Sequence, residues 1–205
     1  MSLQGMIKIQ DFIQDFPMEA YADKMPWDIV RILPQIITGI ISQLDDHFSV
    51  NDGIAIHKSA IIEPGAVLKA PIVVFANSFI GAHAYLRGGV FLGESVVIGP
   101  GCEIKSSIIC SKSSVAHFNF IGDSIVGSHV NFEAGSITAN YQNDKVDKRI
   151  FSVYNSKVID TGVDKFGSLV GDHSKIGANA VLSPGTFLQK KSIVRRLELI
   201  DQHAR

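Results

Sequence analysis

From Ile54 onward, apolar residues return at every sixth position. Ile62, Leu68, Val74, Ile80, Leu86, Leu92, Ile98 and Ile104 form one unbroken series. Glycine or another small or polar residue often follows them, as in Ile80-Gly81, Leu92-Gly93 and Ile98-Gly99, and a small residue often stands four places on: Ala66, Ser78, Ala84, Val90, Val96 and Cys102. The phase slips by one residue to Ile109, Val115 and Ile121, slips again to Val126, continues through Phe132 and Thr138, and returns at Val170, Ile176, Leu182 and Leu188. A fixed period of six is the signature of a hexapeptide β-helix. Three hexapeptides close one triangular coil of about 18 residues, each short strand bonding to the coils above and below at a spacing of roughly 4.8 Å. The branched residue fills the inside near a corner, and the small residue leaves it room.

Residues 1–50 follow a different rhythm. Ile7 to Phe16 reads as a short amphipathic helix. Asp28 is placed to cap a second helix whose stripe runs through Ile29, Ile32, Leu33, Ile36, Ile37, Ile40, Ile41 and Leu44, with Pro34 kinking or restarting it. That stripe needs a partner, and a cap over the open end of the solenoid is the expectation. The chain then divides into a helical cap over 1–50, a solenoid over 51–190 and a tail over 191–205. The polar, charged run from Gln142 to Arg149 breaks the repeat and predicts an excursion loop near 141–165, a length at which loops often carry function. Met1 to Leu3 have the look of an appended sequence ahead of Met6.

Composition narrows the picture. Of the residues, 46% are hydrophobic but only 8% aromatic, so the apolar content is Ile and Val, which favours strands. A net charge of −1 gives no global field to recruit nucleic acid. Cys102 and Cys110 are too few for a disulfide framework and fit no zinc spacing, which suggests a reduced, cytoplasmic chain without a metal site. No charged segment leads into an apolar one at the start, and no apolar stretch is long enough to span a bilayer.

Candidate chemistry lies at positions off the apolar series. Arg87 and Lys105 each follow an inward residue and are 18 residues apart, so they should stack on adjacent coils. Two cations at that spacing repel unless an anion lies between them, and a phosphate would relieve this, Arg offering a fork and Lys a point charge. The alternative is two solvated side chains that splay apart. His117, two residues past Val115, occupies an outward slot flanked by Phe118 and Phe120, and an imidazole there is suited to take a proton near neutrality. A plain surface histidine is the competing reading. Asn131, Asn140, Lys145, Lys148, Arg149 and Lys175 also fall outside the apolar slots, as do Lys190, Lys191, Arg195 and Arg196, which are candidates for the phosphates of a nucleotide.

The run HFNFIGDSIVGSHVNFEAGSITANY from His117 to Tyr141 resembles the acetyltransferase half of the bifunctional UDP-N-acetylglucosamine pyrophosphorylase/glucosamine-1-phosphate N-acetyltransferase family. LRGG at Leu86–Gly89 resembles that family's LRPG, and the step from Arg87 to Lys105 keeps its arginine-to-lysine spacing. The resemblance spans roughly Ile80 to Thr186. It implies a left-handed parallel β-helix, assembled as a homotrimer with CoA in the groove between two chains. It implies His117 as general base, Arg87 and Lys105 as the phosphate grip, and Asn131 as a sugar contact, with Phe120 standing in a substrate-binding position. Asn140 and Tyr141, with Ala139 beside them, would line the acetyl-CoA site, Asn140 helping to place the acetyl group. From the residues alone, the loop lysines Lys145 and Lys148 are candidates for the substrate and Lys175 for the phosphates of a nucleotide cofactor, with solvated surface charge as the alternative. The implied reaction is acetyl transfer from acetyl-CoA to the amine of an amino-sugar phosphate or nucleotide-linked amino sugar.

The departures bear on substrate. Phe120 stands where the family has tyrosine, Asn119 where it has threonine, and no glycine-rich nucleotide loop appears near the start. The chain also resembles stand-alone proteins related to the UDP-N-acetylglucosamine acyltransferase of lipid A synthesis, which keeps a longer acyl donor open. A γ-class carbonic anhydrase-like metal enzyme is disfavoured because His57, His83, His117, His129 and His173 lack the H-x4-H spacing. A non-catalytic scaffold remains the reading from another class.

Overall fold

A computed structural model describes residues 7–202, so the Met1–Met6 reading lies outside the described residues. Strands at 18- and 17-residue intervals stack in parallel into three columns. Face A runs through Ile54–His57, Ile72–Val74, the second halves of Tyr85–Leu92 and Glu103–Ile109, then Ile125–Val126, Ser168–Val170 and Thr186–Leu188. Face B holds Ile61–Ile62, Phe79–Ile80, Val97–Ile98, Ser114–Val115, Asn131–Phe132, Lys175–Ile176 and Ile193–Val194. Face C holds Val67–Leu68, the first halves of Tyr85–Leu92 and Glu103–Ile109, then Phe120–Gly122, Ile137–Thr138, Val181–Leu182 and Leu199–Ile200. This is the parallel solenoid that the six-residue period predicts.

The series read from the sequence lines the inside. Ile80, Leu86, Leu92, Ile98, Ile104, Ile109, Val115, Ile121, Val126 and Phe132 all belong to the inner core and are fully buried. The phase slips fall at the corner between faces C and A. There Gly88 and Gly89 bulge opposite the single Ser106 of the next coil, so coils on either side differ by one residue. Elsewhere neighbouring coils approach so closely that a side chain has no room. A Cβ at Gly99 would lie 1.4 Å from the carbonyl oxygen of Ala116 on the next coil.

A second core lies outside the solenoid. The middle residues of face A point outward and are large: Val73, Phe91, Ile108, Ile125, Leu169 and Phe187. Against them pack α1 (Ile9–Phe12), α2 (Pro26–Arg31) and α3 (Leu33–Ile41). The helical segment therefore covers a side face along most of the solenoid's length and does not close an open end, which corrects the expectation of an end cap. Among the described residues, face A alone has an outward column that is continuously apolar and aromatic, and that surface is what the isoleucine stripe buries. The few aromatic residues concentrate here, with Trp27 edge-on to Phe166 at 5.8 Å and parallel to Phe187 at 6.5 Å.

Local details bear out the sequence reading at Pro34 and differ from it at Asp28 and in the first helix. Pro34 does restart the helix, since Ile32 leaves helical geometry (φ −101°, ψ 10°) between α2 and α3. Asp28 is not the cap. Pro26 begins α2 two residues earlier, its fixed φ suiting the first turn, and Asp28 bonds Arg31 at 2.8 Å instead. The helix expected over Ile7–Phe16 shortens to α1 because the solenoid captures the chain beyond it. The Asp172 carboxylate accepts the Gln14 N–H at 2.8 Å, and the Asp172 N–H bonds the Phe12 carbonyl at 2.9 Å.

The excursion leaves the coil after face C and contains a hairpin, Phe151–Tyr154 with Lys157–Asp160, turning at Asn155 and Ser156 with positive φ. Ile150 and Ile159 fasten it to the outer core. The tail continues the solenoid, with Ile193–Val194 and Leu199–Ile200 adding to faces B and C, so coiling runs past residue 190. Among the described residues, no helix is long and apolar enough to cross a membrane.

Gly99→Ala is expected to destabilise the fold by more than about 4 kcal/mol, because a clash with backbone cannot relax as a flexible side chain would. Loss of the cooperative thermal transition by circular dichroism would agree with this; wild-type melting would show that the coils are not stacked as described.

Candidate active site

The described chain leaves faces B and C without a covering layer, and the polar residues singled out above lie on or beside them. The first group stands at the trailing edge of face C. Arg87 and Lys105 are Cα partners on adjacent coils, so the expected stacking is real. The expected repulsion is not, and this corrects the argument for an anion drawn from the two cations alone. Arg87 is held by Glu103, with Nε at 2.8 Å and Nη2 at 2.7 Å from the same carboxylate oxygen. Lys105 donates to Asp123, which also accepts from Nδ2 of Asn140 one coil further on. The Lys105–Asp123 pair is largely sheltered, with side-chain exposures of 16% and 10%.

Glu103 and Asp123 are functional candidates that the sequence reading missed. Their signal was present, since Glu103 and Asp123 flank Lys105 at offsets of two and 18 residues, but only register shows which carboxylate meets which cation. Asp123 also fixes an orientation. A carboxylate can only accept from an amide, so the Nδ2 of Asn140 faces Asp123 and the amide oxygen faces away. Room for this comes from Gly122, where a Cβ would lie 2.9 Å from the Asn140 amide nitrogen and 2.6 Å from the Phe120 ring.

The second group stands at the leading edge of face C. His117 is exposed at the corner, and among the described residues its imidazole has no hydrogen-bond partner, while its carbonyl accepts from Gly135 N–H at 2.8 Å. Phe118, with φ 53°, projects into solvent with 74% exposure. Asn119 turns inward and donates to the Glu133 carbonyl at 2.8 Å and to Ser136 Oγ at 2.7 Å, so its part is to brace the corner. Phe120 lies between the two groups on the open surface of face C, stacked in register between Glu103 and Ile137. Between the two groups the chain bends at His117 and Phe118 and then runs as the short strand Phe120–Gly122.

The remaining candidates separate from this ledge. Asn131 and Lys175 are register partners on face B and border a cavity of about 490 Å³ with Glu133, Arg195 and Arg196. There the Arg196 guanidinium, with contacts of 2.7 and 2.8 Å, holds the Glu133 carboxyl below the usual carboxylate range. Ala139 remains in the coil, its N–H donating to the Leu182 carbonyl at 2.9 Å. Tyr141 begins the excursion under Lys148, whose ammonium lies 5.1 Å from the ring and donates to the Gln142 and Asn143 carbonyls at 2.9 Å each. Lys145 is exposed, and Arg149 is paired with Asp147 and Asp160. Among the described residues no three His, Cys, Asp or Glu side chains gather as a metal site.

Repeat and coil geometry together define a hexapeptide-repeat parallel β-solenoid. No family model matches the chain. It is a homologue of GlmU-like bifunctional proteins. It is 30% identical over 181 residues to the bifunctional protein GlmU of Methanococcus vannielii, an alignment covering 86% of this chain and 43% of that one. It is 29% identical over 165 residues to the bifunctional sugar-1-phosphate nucleotidylyltransferase/acetyltransferase of Sulfurisphaera tokodaii, covering 78% of this chain and 41% of that one. The chain thus spans less than half the length of these curated relatives. A crystal structure of a hexapeptide transferase family protein from Anaplasma phagocytophilum aligns with a TM-score of 0.42 at 17% identity, covering 72% of this chain and 74% of that one.

Asp123→Ala leaves the donors of Lys105 and Asn140 without their acceptor and is expected to cost about 1–3 kcal/mol. Urea unfolding measures it; an unchanged midpoint would mean that the Lys105–Asp123–Asn140 network does not form.

Proposed function

We propose that the protein transfers an acetyl group from acetyl-CoA to the amine of a phosphorylated amino sugar, using the ledge of face C. The observation that carries this reading is the arrangement of one open face between two edges. His117, whose imidazole has no hydrogen-bond partner among the described residues, stands at one edge, and Arg87 and Lys105, in register, stand at the other. In this reading the sugar ring lies over Phe120, its phosphate toward the cations and its amine toward the imidazole. The homology to a nucleotidylyltransferase/acetyltransferase supports the same chemistry, the matched part being read as the acetyltransferase half.

The steps follow from the groups present. A phosphate displaces part of the Arg87–Glu103 and Lys105–Asp123 contacts and gains charge-assisted hydrogen bonds. His117 takes a proton from the amine as its nitrogen attacks the thioester carbonyl. The C–N bond forms, the C–S bond breaks, and the proton passes to the departing CoA sulfur. Asn140, oriented by Asp123, serves the acetyl group, and Ala139, Tyr141 and Lys175 serve the remainder of acetyl-CoA. Holding both reactants in place supplies much of the rate. The absence of a hydroxyl on Phe120 leaves the ring face as its contribution to the sugar. CoA and sugar phosphates of this kind are cytoplasmic metabolites, and we assign the reaction there.

Assembly belongs to the same proposal. Face A is covered, whereas exposed apolar residues remain on face B (Ile61, Val97, Ile193) and face C (Val67, Ile137, Leu199). A homotrimer would bury them and bring Asn131 and Lys175 of one face B toward face C of a neighbour. Sedimentation equilibrium is expected to report three chains; a monomer at micromolar concentration would remove the shared site.

The test of the reaction is CoA release followed with a thiol reagent, acetyl-CoA being offered with a panel of amino-sugar phosphates and nucleotide-linked amino sugars. One acceptor is expected to turn over, and His117→Ala to lower kcat by about 10²–10⁴-fold with little change in KM. An equal rate in the variant would remove His117 as the base, and no turnover on any acceptor would overturn the transferase reading.

A further inference from the structure

The column that holds Arg87 and Lys105 does not begin at Arg87. Lys69 stands 18 residues earlier. Leu68 pairs with Leu86, and the Lys69 N–H donates to the Leu86 carbonyl at 2.8 Å, so Lys69 occupies the same edge one coil above Arg87. The Tyr85 ring marks how closely the two side chains approach. The Lys69 ammonium lies 5.2 Å from its centroid and the Arg87 guanidinium carbon 5.8 Å. Three cations therefore line one edge on three successive coils.

Their charge is not balanced evenly. Arg87 faces Glu103 and Lys105 faces Asp123. Among the described residues, Lys69 has no carboxylate within ion-pairing distance. Three cations against two carboxylates leave the edge positive at the Lys69 end, which is where an anion gains most. One phosphate is enough for Arg87 and Lys105. A third cation roughly 4.8 Å further along matches the next phosphate of a diphosphate.

Beyond Lys69 the edge opens into a shallow depression of about 370 Å³ between the solenoid corner and α3. Gly53, Ala70 and Pro71 form one side, and Pro34, Gln35 and Thr38 the other. The Thr38 hydroxyl is occupied by the Pro34 carbonyl at 3.0 Å, but among the described residues the exposed Gln35 amide has no partner. Small apolar walls with one free amide, able both to donate and to accept, suit a nucleobase.

We propose that Lys69, Tyr85 and the depression beside α3 form a subsite for a second phosphate and its nucleoside, so that the acceptor is an amino sugar carried on a nucleoside diphosphate. This rests on the reading of Arg87 and Lys105 as the grip for the sugar-proximal phosphate. It also gives the helical segment a part in substrate choice, because α3 supplies half of the nucleoside's surroundings.

The test is calorimetric and needs no turnover. Uridine, guanosine and thymidine diphosphates and the matching monophosphates are titrated into wild type, Lys69→Gln and Arg87→Met. For at least one base, the wild type is expected to bind the diphosphate about tenfold or more tightly than the monophosphate. Lys69→Gln is expected to erase that preference while leaving monophosphate binding within about twofold, and Arg87→Met to weaken both. Lys69 is exposed, so the variant should melt as the wild type does, and circular dichroism checks this. Equal binding of diphosphate and monophosphate by the wild type, or an undiminished preference in Lys69→Gln, would overturn the subsite. The two proposals fail separately. Diphosphate binding through Lys69 without acetyl transfer would keep the subsite and sink the transferase reading. Turnover of amino-sugar 1-phosphates with no diphosphate preference would do the reverse.

Discussion

The structure depends on backbone pairing between coils. Each two- or three-residue strand is too short to be stable alone, and its N–H and C=O groups find partners only on the coils above and below. That requirement locks the chain into a repeat of 17 or 18 residues, and the lock has two consequences. Inward positions are mostly branched or small, and beside the inward Ile98 the next coil comes so close that Gly99 can carry no Cβ. Outward positions stack in columns, so residues one coil apart in sequence become neighbours whether or not their side chains suit each other. The column of Lys69, Arg87 and Lys105 arises in this way, and Glu103 and Asp123 make it tolerable.

The three faces have then taken different parts. Face A presents Val73, Phe91, Ile108, Ile125, Leu169 and Phe187 outward, too much apolar surface for water, and the helices and the hairpin of the excursion cover it. Faces B and C keep the polar ledges. The helical segment is also tied down by polar contacts, through Asp172 to Gln14 and through the Lys190 ammonium to the Gln10 carbonyl. Because α3 lies beside the corner that carries the cation column, covering face A also shapes the rim of the candidate site.

Much of this was legible in the sequence, for a physical reason. Inward residues such as Leu86, Ile98 and Ile104 obey a period set by coil geometry, so the solenoid can be read directly. The stacking of Arg87 on Lys105 follows from the same count. The outward column of face A was not legible, because Val73 and Phe91 sit inside apolar runs where inward and outward residues look alike. The sequence pattern therefore points the helices to an end, whereas they lie along a side. The ion pairs were hidden for a related reason. Arg87 meets Glu103 across a coil, at a separation of 16, and nothing in the local sequence marks that diagonal. Asn119 reads as a substitution within a substrate motif, yet its buried hydrogen bonds make it a brace for the corner. Candidates such as Asn131 and Lys175 read as parts of one site but lie on another face of the same chain.

The central claim is that an amino-sugar phosphate lies across face C, between His117 and the cation column. A crystal structure of the protein with CoA and the acceptor that it turns over tests this most directly. The expected result has phosphate oxygens within hydrogen-bond reach of Arg87 and Lys105, the sugar ring over Phe120 and the amine directed at the His117 imidazole. A phosphate seated instead in the cavity of Lys175 and Arg195, with the amine remote from His117, would contradict the account.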